Sequence, residues 1–281
     1  MTWKIVADSG CDLKVLQDLA EDVNFVRVPL TLQVGNQLFI DDEGLDVEHM
    51  LDVLKETKAA ATSACPSPDA YMKAFEGADN IVVVTITGGL SGSQNSAQIA
   101  KEMYLEDHPN TNIHVIDSLS AGGEMDLLVQ KIQELTEAGL SFDDVVSQIK
   151  DYQEKTKLIF VLAKVDNLVK NGRLNKVLGK VIGLLNIRMV GKASAEGKLE
   201  LLHKAKGQKK SVSTSYQEMV KAGYQGGRVL IAHCHNAAIC QQLEEAIKKD
   251  YPTADVQIVP TSGLCSFYAE EGGILMGYEI Q

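Results

Sequence analysis

The residues best able to do chemistry in this chain stand in two short polar stretches. One is Thr87-Gly88-Gly89-Leu90-Ser91-Gly92-Ser93-Gln94-Asn95-Ser96-Ala97, which follows an apolar run and leads into an alanine-bearing helical pattern. Glycines such as Gly92 let a ligand approach the main chain, and the unpaired amides of a first helical turn favour an anion. Ser91 and Ser93 add hydroxyl donors, although a simple serine cap on the helix explains them equally well. The other stretch is Ala61-Thr62-Ser63-Ala64-Cys65-Pro66-Ser67-Pro68. Ser67 before Pro68 reads as a cap followed by proline at the first helical position. That leaves Thr62 and Ser63 as hydroxyls on an extended loop, available to a ligand or to solvent.

Other chemistries can be weighed against anion binding. Gly89-Leu90-Ser91-Gly92-Ser93 resembles a nucleophile elbow without its final glycine, so an acyl hydrolase or transferase using Ser91 or Ser93 stays open. No histidine is distinctively placed to serve it. The dinucleotide fingerprint and the P-loop are both absent from the sequence, so no cofactor is expected. His233-Cys234-His235 would put two imidazoles on one face of a strand. Zinc needs further ligands at suitable spacing, so satisfied histidines at a strand end are expected in place of a metal. Asp8 and Asp117 each follow an apolar run and precede serine, a setting for loop hydrogen bonds more than for Mg²⁺.

The elements that must carry these turns follow from the apolar runs. Lys4–Ala7, Asn80–Ile86 and Asn112–Ile116 each end in polar or glycine residues and read as buried strands. Helical patterns Val47–Lys58, Pro68–Phe75, Gln94–Leu105 and Glu124–Ala138 lie between or beside them. Such alternation predicts a parallel sheet whose ligands gather beyond the carboxyl ends of the strands. Farther along, the pattern predicts strand Leu158–Ala163, a helix from Val165 to near Asn171-Gly172 and a helix Val177–Leu184. A hairpin of Ile187–Ser194 and Leu199–Lys206 follows, then helix Ser211–Ala222, strand Arg228–His233, helix Ala237–Lys249 and strand Ala254–Pro260. The polar stretch Asp151–Lys157 suggests a division into lobes of residues 1–155 and 156–281.

Composition narrows the class. The 281 residues carry a formal charge of −11, which argues against a nucleic-acid partner. The one compact basic stretch is Lys204, Lys206, Lys209 and Lys210. Only 5% of residues are aromatic within a 45% hydrophobic chain, so the interior must be mainly aliphatic. Five cysteines without a C-x-x-C pair suit a reducing cytoplasm. No signal-peptide pattern opens the chain, and no apolar run is long enough to span a bilayer. A soluble, cytoplasmic protein with at most transient membrane contact is expected.

Taken together and in order, several segments resemble the DegV family over nearly the whole chain. They are Lys4-Ile5-Val6-Ala7-Asp8-Ser9-Gly10-Cys11-Asp12-Leu13, the Thr62-Ser63 pair and Leu90-Ser91-Gly92-Ser93, where Ser93 replaces the family's threonine. Val115-Ile116-Asp117-Ser118, Gly122-Gly123 and Asn167-Leu168-Val169-Lys170-Asn171-Gly172-Arg173 complete the set. The resemblance implies a two-lobed α/β fold, an N-terminal parallel-sheet lobe and a C-terminal mixed lobe, with a long-chain fatty acid buried between them. It implies a non-catalytic binding protein that presents the carboxylate to a separate fatty-acid kinase, which makes an acyl phosphate for phospholipid synthesis. On that resemblance Thr62, Ser63, Ser91, Gly92 and Ser93 hold the carboxylate, and Arg173 docks the kinase. The family's C-terminal His-x-Gly-Pro-Gly segment is replaced here by Gly263–Gly273, with Tyr268 at the position matching the histidine. Lys206 stands where a second docking arginine belongs.

Overall fold

Strands buried on both faces need covering layers on each side, and the first half of the chain supplies them. The computed structural model describes residues 1–57, 61–179, 182 and 186–281. Strands β1 (Trp3–Asp8), β2 (Val23–Val28), β6 (Asn80–Thr85) and β7 (Asn112–Asp117) form an all-parallel sheet in the order β2-β1-β6-β7. Helices α2 (Pro68–Phe75) and α3 (Ser93–Asp107) cover one face, packing Tyr71, Phe75, Ala97 and Tyr104 against Val6, Ile81 and Val83. Ser67 caps α2, its Oγ accepting from the Ala70 amide at 3.2 Å ahead of Pro68. Helices α4 (Gly123–Glu137) and α5 (Phe142–Glu154) cover the other face.

Strands β3 (Thr31–Val34), β4 (Gln37–Ile40) and β5 (Ala61–Ala64) add a small antiparallel sheet in the order β4-β3-β5. Thr62 and Ser63 therefore sit in a strand and not on the expected loop. Helix α1 (Val47–Glu56) connects β4 to β5. Lys58, the last residue of its expected helix, lies outside the described residues.

Residues from Thr156 onward build a six-stranded mixed sheet in the order β10-β9-β8-β13-β11-β12. Its members are β8 (Thr156–Leu162), β9 (Ile187–Ala193), β10 (Leu199–Lys206), β11 (Val229–His233), β12 (Val256–Pro260) and β13 (Ile274–Glu279). Helices α8 (Gly207–Lys221) and α9 (Ala237–Asp250) pack their apolar sides on one face. On the other lie α6 (Asp166–Lys170) and α10 (Gly263–Ala269). Lys176–Gly179 is helical (α7), and most of the expected helix Val177–Leu184 lies outside the described residues. Among the described residues no helix is long and apolar enough to cross a membrane.

Helix α4 is the layer both large sheets share, packing on β1 and β6 of one and on β13, β11 and β8 of the other. A helix sandwiched this way must be buried around most of its circumference, and Met125, Leu127, Leu128 and Val129 are all buried. Its entry is a close main-chain contact. A Cβ at Gly277 of β13 would fall 2.3 Å from the Glu124 amide nitrogen, and one at Gly123 would fall 2.2 Å from the Leu230 carbonyl oxygen. The reverse dependence comes from α10, whose Leu264 and Phe267 enter the first half's core. Asp41 accepts from the Gly263 and Leu264 amides at 2.9 and 2.7 Å.

Because backbone blocks any side chain at position 277, Gly277→Ala should cost about 2 kcal/mol or more. Gly44→Ala, whose added Cβ meets nothing nearer than 3.5 Å, should stay within about 0.5 kcal/mol of the parent. Urea unfolding of the two variants checks this, and equal small effects would contradict the account of the α4 contact.

Candidate functional site

The carboxyl end of β1 is where the fold begins to organise a site. Asp8 closes that strand, and its buried carboxylate accepts from the Gly10 and Ile86 amides, both at 2.9 Å. It also accepts from Ser93 Oγ at 2.5 Å and more distantly from Tyr71 OH at 3.4 Å. Burial pushes the Asp8 carboxyl up to about 6, with these donors pulling the other way. One aspartate thus ties β1, the turn after β6, α2 and the start of α3 together. Asp117 does the same for β7, accepting from the Gly88 and Leu119 amides. Both aspartates hold loops, as their sequence setting implies.

Ser93 is consequently a structural hydroxyl. It is fully buried, it donates to Asp8, and it lies 2.7 Å from Tyr71 OH. Its own amide donates to Ser91 Oγ at 3.2 Å. Ser91 is half-buried and faces a cavity. Among the described hydrogen bonds, none joins Ser91 or Ser93 to a histidine.

That cavity runs between the two large sheets. Leu30, Ile86 and Leu90 contribute from the first half, while Phe160, Leu162, Leu199 and Leu275 contribute from the mixed sheet. Leu264, Cys265 and Ala269 of α10, Ala121 and Leu168 close it. The space between these walls, mouth included, is about 630 Å³. Its polar wall consists of Ser63, Ser91, Tyr268 and Arg173.

These four come together through tertiary contacts. Ser63 Oγ and Tyr268 OH are 2.7 Å apart. The Arg173 guanidinium lies over the Tyr268 ring, 5.4 Å from its centroid, a favourable cation–π placement. Arg173 Nε donates to the Leu90 carbonyl at 3.3 Å and Nη1 to the Asn171 carbonyl at 2.9 Å. Asn171 Nδ2 donates in turn to the Ala61 carbonyl at 3.0 Å, binding the end of α6 to β5. Burial raises the Tyr268 phenol, against the pull of Ser63 and the Arg173 charge, so it is a neutral donor. Among the described residues no ion pair joins Arg173 to an acid, and it is the one charged residue in this wall. The arrangement can hold an anion on a guanidinium, a phenol and two hydroxyls, with an apolar tail beyond.

Three expected ligands stand elsewhere. Thr62 precedes Ser63 in β5, and strand alternation turns it to the opposite, exposed side. Gly92 is exposed and Ser93 is spent on Asp8, although Cys65 Sγ, just past β5, would lie 3.2 Å from a Cβ at Gly92. Arg173, which the family resemblance casts as a docking residue, lines the cavity. Lys206 is exposed at the end of β10 opposite Leu199, roughly 23 Å along the strand. His235 leaves the strand at φ +51 and sets Nε2 2.6 Å from Glu48 Oε1. His233 Nδ1 accepts from the Asn236 amide at 3.2 Å. Among the described residues no three metal-binding side chains cluster.

Comparison with known proteins bears on this arrangement. The Streptococcus pneumoniae Fatty Acid Kinase (Fak) B3 protein, in a crystal structure loaded with linoleic acid, is 65% identical with a TM-score of 0.99 and 100% coverage of both chains. A DegV family protein from Eubacterium eligens loaded with heptadecanoic acid is 40% identical, with a TM-score of 0.95 and 100% coverage of both chains. A DegV domain-containing protein of Streptococcus gordonii is 64% identical over 280 residues, again covering both chains fully. The family model described as an uncharacterised protein of the DegV family matches residues 2–279. With that span matched, the chain belongs to the DegV family.

Proposed function

We propose that this protein binds one long-chain fatty acid in the slot between its sheets and presents the carboxylate to a partner kinase that forms the acyl phosphate. The observation that carries this reading is a mainly apolar cavity whose single charged wall residue is an arginine that, among the described residues, has no acidic partner. Arg173, Tyr268, Ser63 and Ser91 receive the headgroup, while Phe160, Leu162, Leu199 and Leu275 surround the chain. The fatty-acid-loaded relatives support the ligand class.

The energetics divide along the same line. Each buried methylene is worth about 0.8 kcal/mol, so roughly fourteen of them supply about 11 kcal/mol before ordering costs. The headgroup contributes less and fixes direction. In this reading the chain's own residues bind and orient, and bond making belongs to the kinase. Lys206 serves that partner from the protein surface. The protein works in the cytoplasm, with no resident cofactor.

Protein purified from bacteria should carry one long-chain fatty acid per chain by native mass spectrometry. Removing the lipid should lower Tm by several degrees, because a ligand at a thousandfold excess over Kd adds about 4 kcal/mol. A chain that purifies without lipid and shows no Tm change on adding oleate would contradict the reading.

Arg173→Met should weaken fatty-acid binding by about 10- to 100-fold, the usual worth of a charge-assisted hydrogen bond. Its affinity for the corresponding fatty alcohol should change by less than about threefold, since that head is uncharged. Tyr268→Phe should show the same bias at smaller size. Titration calorimetry with both ligands separates the cases, and equal losses for acid and alcohol would rule out a headgroup role.

A further inference from the structure

The turn that ends α10 carries a residue in a backbone conformation that side chains disfavour. Glu270 has φ +52 and ψ 174, a region essentially confined to glycine and costly for a residue with a Cβ. Its side chain is half-buried as well, which adds the cost of partly desolvating an acid. Among the described residues no ion pair includes Glu270, while Lys164 pairs with the neighbouring Glu271 at 3.4 Å.

The Glu270 side chain ties two helices together. Its Oε1 accepts from the Asn167 amide at 2.9 Å, across 103 positions of sequence. Asn167 is the second residue of α6, whose cap residue Val165 has no side-chain oxygen to offer the first-turn amides. Glu270 supplies that acceptor. Asn167 bonds back to α10, its Nδ2 donating to the Phe267 carbonyl at 2.9 Å.

Each tied helix carries one member of the cation–π pair in the headgroup wall. Tyr268 lies in α10, two residues before Glu270. The turn after α6 closes at Gly172, with φ +73. The Gly172 amide donates to the Val169 carbonyl at 3.1 Å and the Arg173 amide to the Leu168 carbonyl at 2.8 Å. This is a Schellman termination, and Arg173 is its last member. The main chain of Arg173 is therefore fixed to α6, as that of Tyr268 is to α10.

We propose that Glu270 and Asn167 are positioning residues of the headgroup wall, their paired bonds fixing α6 on α10 so that Arg173 meets Tyr268 and the ligand's carboxylate. Their role presupposes the fatty-acid reading. Strain at Glu270 is the cost of keeping a carboxyl group where glycine would suit the main chain. Burial raises that carboxyl from its ordinary value, with Asp166 adding to the rise and the Asn167 bond, Lys164 and Lys170 opposing it.

A small set of variants separates the tie from the strain. Glu270→Ala and Glu270→Gly both lose the acceptor for Asn167, and only glycine relieves the backbone. The lipid-free glycine variant should melt several degrees above the alanine one. Both should lose oleate affinity equally, by about fivefold or more. Each should hold oleyl alcohol, which brings no charge to Arg173, within about twofold of the parent. Glu270→Gln keeps an oxygen for the Asn167 amide and should retain oleate affinity within about threefold. In an Arg173→Met background, Glu270→Ala should weaken oleate no further, because its effect passes through that guanidinium.

Melting curves and titration calorimetry read the set. Parent-like oleate affinity in Glu270→Gly, or a glutamine variant as weak as alanine, would overturn the positioning role. Equal losses for acid and alcohol, or a further loss in Arg173→Met, would do the same. A glycine variant melting no higher than alanine would overturn the strain. Failure of the parent chain to bind oleate would sink the fatty-acid reading itself, whatever the order of the variants' Tm values.

Discussion

An arginine set into a wall of leucines is costly unless an anion meets it. Arg173 stands half-buried at such a wall, steadied by the Leu90 and Asn171 carbonyls and by the face of Tyr268, and among the described residues no acid is paired to it. Carbonyls can orient a guanidinium, but they do not neutralise it. The cavity wall next to it is almost entirely apolar, which suits hydrocarbon and not a charged body. A molecule with one anionic end and a thin hydrocarbon body answers both demands.

The fold places that arginine by joining its two halves through shared parts. Helix α4 belongs to the cores of both large sheets, and α10 reaches from the second half into the first. Ser63 comes from the small sheet, Ser91 from the turn after β6, Tyr268 from α10 and Arg173 from the segment after α6. Buried aspartates hold the pieces in register: Asp8 on the turn, Asp41 and Asp12 on the start of α10. The acidic groups most deeply buried in the molecule therefore act as ties between segments and leave the cavity itself to the one cation.

Much of the scaffold was legible in the residues. Ile81–Val84 is a run of buried apolar side chains, and Ser67-Pro68 announces α2 without help from tertiary context. The mixed sheet's hairpin and helices α8 and α9 also followed from their patterns. Strand β5, Ala-Thr-Ser-Ala, was not legible because four small residues carry no hydrophobic signal and gain their conformation from pairing with β3. That pairing decides that Ser63 and not Thr62 faces the cavity. Helix α10 was hidden for a similar reason, since its amides are capped by Asp41 from far away in the chain. Ser91 and Tyr268 were named in advance, the first from its turn and the second from family resemblance. Arg173 was named for a surface role, and no local pattern indicates a side chain brought inward by a contact between Asn171 and Ala61.

The most direct measurement is carbon-13 NMR of a carboxyl-labelled fatty acid bound to the protein, followed as pH is lowered. A carboxylate gripped by Arg173, Tyr268 and two serine hydroxyls should stay ionised well below the ordinary carboxylate range, and should regain ordinary titration in Arg173→Met. A label that titrates like the free acid in the parent protein, or is protonated at neutral pH, would contradict the account.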